Sequence, residues 1–171
     1  MHTYKKIIGA TLFILFVFSP GCRAQKSFPE KCLGDWKGQM LIYKDGVIKD
    51  SVKVVLKVTR SEEQHTFGWK TSYLSEKAPM VKDYRMILSE AGKNIYILDE
   101  GDGIQLQNYL FENKLYSVFE TDDILLTASY ELMDDKLIFE VTSGKRTDPT
   151  EGVLNYSVNY LQRVIFKKEF K

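Results

Sequence analysis

Histidine and cysteine are almost absent from this chain: two of each, His2, His65, Cys22 and Cys32, in 171 residues. No C-x-x-C or H-x-x-x-H pair occurs, which excludes the usual zinc arrangements and a disulfide-stapled scaffold. A serine nucleophile elbow, a P-loop and a dinucleotide-type glycine pattern are also missing, so no enzyme class announces itself. Neither sign of charge dominates, with 24 basic against 23 acidic side chains, and no basic face for nucleic acid stands out. Long helical periodicity is lacking as well.

What is there begins with an address. Lys5 and Lys6 precede an uncharged run of twelve residues, 7–18, followed by Ser19-Pro20-Gly21-Cys22. Twelve residues as a helix reach only about 18 Å, short of the roughly 30 Å hydrocarbon core. The segment therefore reads as a signal peptide of residues 1–21, not a spanning anchor. The exit resembles a bacterial lipobox, with Ser19 where leucine is usual, which implies lipid on Cys22. The alternative cut falls after Ala24 and frees a soluble periplasmic or secreted product. Lipidation is preferred, which gives a membrane-anchored lipoprotein of the bacterial cell envelope with residues 22–32 as a tether. Counted from Gln25, without Lys5, Lys6 and Arg23, the chain carries 21 basic residues against 23 acidic. Cys32 then stands alone and reads as a half-buried small apolar residue.

The remainder, residues 33–171, repeats one pattern: a run rich in β-branched and aromatic residues, then a turn. Ten such runs are visible, at 36–43, 51–59, 66–74, 83–89, 94–99, 104–112, 115–121, 124–132, 136–143 and 154–167. Lys44-Asp45-Gly46, Asp122-Asp123 and Asp134-Asp135 are hairpin chemistry, and links this short exclude parallel crossovers. Val52, Val54, Leu56 and Val58 share one face, as do Tyr84, Met86 and Leu88, and Leu137, Phe139 and Val141. One wet and one apolar face on ten meandering strands point to an all-β, single antiparallel up-and-down barrel, because closure removes both edges. Ten strands widen the interior beyond what eight just fill, which points to a cavity over a solid core.

Gly34-Asp35-Trp36 at the first run resembles the G-x-W start of calycin barrels (lipocalins, fatty-acid-binding proteins and nitrobindin-like barrels). The resemblance implies that Trp36 packs at the closed end beneath a basic side chain of the last strand, for which Arg163 is the candidate. Thr121-Asp122 is a weaker echo of a lipocalin turn. Only residues 44–50 separate the first two runs, so the helical lid of fatty-acid-binding proteins has no room. Haem, as in nitrobindin-like barrels, would need a histidine near the carboxy terminus, and none follows His65. No cofactor is expected.

Inward polar candidates for a ligand are Tyr84 beside Met86, Asn108 in register with Leu106 and Leu110, and Tyr156 and Tyr160 on the last run. The plainer reading makes these tyrosines core residues with bonded hydroxyls. Arg163 is either a floor residue or a carboxylate clamp, since a bulge near Leu161 would change its facing. Asp99-Glu100-Gly101-Asp102-Gly103 is too compact for an EF-hand and reads as a turn; His65 reads as an exposed loop residue. The sequence supports two functions: a carrier of a small apolar or lipid-like ligand, or a structural, inhibitor-like lipoprotein with a filled barrel. Oligomeric state is left open.

Overall fold

The computed structural model describes residues 26–89, 94–148 and 151–169. The signal peptide and Cys22 lie outside them. Ten strands, β1 (Gly34–Lys44), β2 (Val47–Arg60), β3 (Thr66–Leu74), β4 (Met80–Leu88), β5 (Ile95–Asp99), β6 (Gln105–Phe111), β7 (Lys114–Thr121), β8 (Ile124–Met133), β9 (Lys136–Arg146) and β10 (Tyr156–Lys168), close into one barrel. Every neighbouring pair is antiparallel and sequential, and β10 returns to β1. The up-and-down barrel expected from the alternation is the observed fold.

The turns work through residues that tolerate left-handed backbone. Asp122 and Asp123 both hold positive φ, 48° and 62°, between β7 and β8, the requirement of the tight hairpin that matches strand twist. Asp45 and Gly46 do the same between β1 and β2, at 51° and 77°. Between β9 and β10 the register shifts at Val158/Tyr160. There Gly144 is needed for close approach, since a Cβ would lie 2.7 Å from the Ser157 carbonyl oxygen.

The tether expectation for residues 28–32 is corrected. They form a short helix, α1 (Phe28–Cys32), whose Phe28, Pro29 and Cys32 are buried against the barrel base. Phe28 supplies the apolar mass that a solvated linker would lack, which is why the chain folds back here. Glu30 accepts from the Ser27 amide at 2.9 Å and the Ser27 hydroxyl at 3.2 Å, and its second oxygen takes Arg60 at 3.0 Å. Two further bonds fasten this plug: the Phe28 N–H donates to the Tyr96 hydroxyl (3.2 Å), and the Trp36 indole N–H donates to the Cys32 carbonyl (2.7 Å). Trp36, Leu56, Met86, Leu115, Leu137 and Phe166 pack above it as the closed end.

The partner of Trp36 is also corrected. Lys168 places its Nζ 5.1 Å from the indole centroid. Arg163 sits on the outer wall with Nε 3.5 Å from Glu140. The bulge precedes Tyr160, so alternation runs unbroken through the rest of β10: Val164 and Phe166 face inward, and odd-numbered Arg163 faces out.

Cys32 is fully buried, and burial pushes its thiol up to about 12 against the pull of Lys168 and Lys31. An unfolded chain releases that proton near 9, while the folded one keeps it. This contribution to stability is therefore complete below about pH 9 and lost as pH rises towards 12. Denaturant midpoints should fall across that window, less steeply for Cys32→Ala, and the native thiol should ignore Ellman's reagent at about pH 8. Rapid labelling of the native protein would contradict this account.

Candidate functional site

Alternation puts the even residues of β1, β2, β4, β5, β6, β8 and β10, and the odd ones of β3, β7 and β9, inside the barrel. The plug and its aromatic neighbours fill the lower part. Above them lies a cavity of about 500 Å³, lined by residues from all ten strands. That volume lies within the range of small-molecule sites, roughly 300–1,000 Å³.

Its walls are mainly apolar: Met40, Val52, Leu98, Leu106, Leu126 and Val141. Polar groups occur at two levels. At the mouth are Asp50, Lys82, Glu100 and Gln162. Lys82 holds its Nζ 5.4 Å from the Tyr84 ring centroid. Burial, then a hydrogen bond with Glu100, raises the Tyr84 hydroxyl above the ordinary phenol range. Lower down are Thr71, Asn108, Ser117 and Tyr130, all buried. Asn108 donates from Nδ2 to the Leu106 carbonyl at 3.0 Å, which fixes its amide. Tyr130 stacks on Phe139 (centroids 4.4 Å, 25°) and meets Trp69 edge-on (5.2 Å, 83°).

The barrel wall is not uniform. The β6–β7 ladder runs over three pairs, from Phe111↔Lys114 to Tyr109↔Tyr116. Towards the mouth the two strands separate, and a groove of about 480 Å³ lies between them. Leu106, Ser117 and Phe119 line both this groove and the cavity, so the gap borders the interior.

Of the sequence candidates, Tyr84 and Asn108 line the cavity. Met86 does not: it is fully buried in the core beneath. Tyr156 reaches Glu120 with its hydroxyl at 3.4 Å, and Tyr160 is exposed under the Lys44 ammonium, 5.3 Å from its centroid. Neither belongs to the cavity lining. Gly34 opens β1 at φ 123° beside Lys168. His65 is an exposed turn residue. Asp99 spends its carboxylate on the Gly101 N–H and on Arg85, 2.6 Å away, and these hold it below the usual range. Sequence reasoning missed Thr71, Tyr73, Ser117, Tyr130 and the charged mouth. The signal was available: Phe67, Trp69, Thr71 and Tyr73 alternate with Gly68, Lys70 and Ser72, and Leu115, Ser117 and Phe119 follow the same rule.

No family model and no curated protein sequence matches the chain. Solved structures do. An S-type phycobiliprotein lyase from Guillardia theta superposes with a TM-score of 0.59 at 11% identity, over 84% of this chain and 92% of the lyase. A DUF3598-family protein of unknown function from Nostoc punctiforme gives 0.58 at 17% identity, over 82% of this chain. The chain spans about half of that protein, 49% of its length. A variant of the fluorescent protein UnaG aligns more loosely, with a TM-score of 0.48 at 16% identity over 81% of this chain and 96% of that one. Identities this low speak to the fold alone: the chain is a calycin-like β-barrel.

Proposed function

We propose that this protein is an exported carrier that binds a small, largely apolar molecule inside the barrel. The observation that carries the reading is the cavity of about 500 Å³ above a plugged base. An interior of that size does not suit the alternative of a barrel packed solid with side chains. Affinity would come from apolar area removed from water, about 25 cal/mol per Å² before association costs. The polar side chains would orient the ligand, and the reading is of a binder rather than a catalyst.

Export, with lipid on Cys22, is part of the same proposal. Since α1 enters at the base, an anchor six residues before Phe28 would hold the closed end within about 20 Å of the membrane. The mouth would then face away, suited to exchange with a soluble partner or an opposing surface.

The experiment is direct. The mature chain should brighten diphenylhexatriene, a hydrocarbon dye that fluoresces in apolar surroundings, with saturation at one dye per protein. Native mass spectrometry of protein from its own host should carry an adduct of small-molecule mass. No saturable dye uptake together with a clean apoprotein mass would end the carrier reading.

A further inference from the structure

We propose that the ligand enters and leaves through the side of the barrel, between β6 and β7, and that the open mouth is not its route. This rests on the carrier reading above and adds the ligand's path.

The parting of these two strands is not a matter of length. β6 has seven residues and β7 eight, joined by Glu112 and Asn113, so the hairpin could bond over seven pairs. It bonds over three, the pairs nearest the turn. The other short ladders, four pairs between β4 and β5 and five between β5 and β6, are limited by the five residues of β5 itself. On its other side β7 is laddered to β8 over all eight of its residues. Continued register would set Asn108 opposite Ser117, Gln107 opposite Val118 and Leu106 opposite Phe119, and no ladder bond joins any of these pairs. Widening this seam along that stretch breaks no cross-strand bond. Every other seam would have to give up bonds it already makes.

The lining of the seam suits an apolar traveller. Leu106, Ser117 and Phe119 border both the cavity and the groove of about 480 Å³, so the path reaches the interior. On the outer face the groove is flanked by Tyr109, Phe111, Tyr116 and Val118, all exposed, Phe111 at 63% and Val118 at 65%. Phe111 and Tyr116 meet edge-on at 6.0 Å and give an incoming hydrocarbon a surface to land on. The remaining lining residues, Gln105 and Gln107, are neutral amides, so no charged side chain lines the groove.

The mouth differs in that respect. Asp50, Lys82 and Glu100 line the cavity there. An apolar molecule passing between them displaces water from three charged groups and gives nothing in return. Through the seam it meets hydrocarbon, rings and amides. The gap occupies the mouth half of the wall, so this path still opens away from the plugged base.

The test staples the seam. Gln107→Cys and Val118→Cys, both exposed on the outer face, are joined in the mature chain by a short bis-maleimide, with Cys32 shielded by burial. In stopped flow the stapled protein should take up and release diphenylhexatriene at least about tenfold more slowly, with affinity within about twofold, since a blocked path raises the barrier equally in both directions. Val118→Arg, which sets a charge at the gap without any cross-link, should slow both rates about three- to tenfold and covers poor coupling of the thiols. Ile48→Arg places the same charge on the mouth rim, where Ile48 is 53% exposed, and should leave both rates as they are. Rates indifferent to the staple, or to Val118→Arg where the thiols do not couple, would overturn the proposal, as would slowing by Ile48→Arg. A fall in affinity with release undiminished would make the groove part of the resting site and overturn it too. Failure of the wild-type protein to take up the dye would instead remove the carrier reading beneath it.

Discussion

Replacing Trp36 with alanine should cost about 4 kcal/mol, within the 3–5 kcal/mol typical of removing a buried tryptophan. The side chain is 1% exposed and does three things at once. It fills the barrel base, donates to the Cys32 carbonyl at 2.7 Å, and carries the Lys168 ammonium 5.1 Å from its centroid. Truncation opens a void, strips α1 of one of its three bonds to the barrel and leaves Lys168 without its ring. Against a total stability of about 5–15 kcal/mol for a domain, such a loss brings the barrel near the edge of folding. Trp36→Phe separates the contributions: it keeps most of the mass and loses the N–H, and should cost about 1–2 kcal/mol. Urea midpoints measure both. A loss under about 1.5 kcal/mol for the alanine variant would mean that the plug closes the base without tryptophan.

How much of this was legible beforehand follows from which forces act locally. Strand period is set by two-residue alternation along one segment, so Val52, Val54, Leu56 and Val58 announced their face without any tertiary knowledge. Turn chemistry is equally local, and Asp122 and Asp123 adopt the backbone that their types suggest. The barrel followed from these two. The plug did not, because five residues with one proline carry no periodicity, and Phe28 is helical and buried owing to a cavity bottom made by strands far along the chain. Register across the closure was likewise hidden. Lys168, not Arg163, stands opposite Trp36 in the pairing of β10 with β1, and nothing local marks that register between the first and last strands. Tyr156 and Tyr160 flank the irregularity at Val158/Tyr160, near the open end of β10, and fall outside the cavity lining. Tyr84 and Asn108 were readable as lining because no bulge intervenes on β4 or β6.

The second large effect concerns binding. Ala128 faces the cavity from β8, between Ser117 of β7 and Val141 of β9 in the ladder. A methyl at this position keeps the space open between the lower polar groups and the apolar wall. Ala128→Trp would put an indole across a cavity of about 500 Å³, against Phe139 and Leu126. Diphenylhexatriene affinity should fall at least about tenfold, more than 1.4 kcal/mol, because the dye and the indole claim the same volume. Stability should hold or rise by up to about 1 kcal/mol, since new apolar area is buried where no side chain has to move aside. That opposite sign is the informative part. In a solidly packed barrel the same substitution would overpack the core and lower the denaturation midpoint, and any dye response would be unaffected because it would arise elsewhere. Ala128→Val serves as the control, with a small change in both readouts. Full dye binding by a folded Ala128→Trp protein would move the ligand out of the barrel, to the groove between β6 and β7 or to the outer wall.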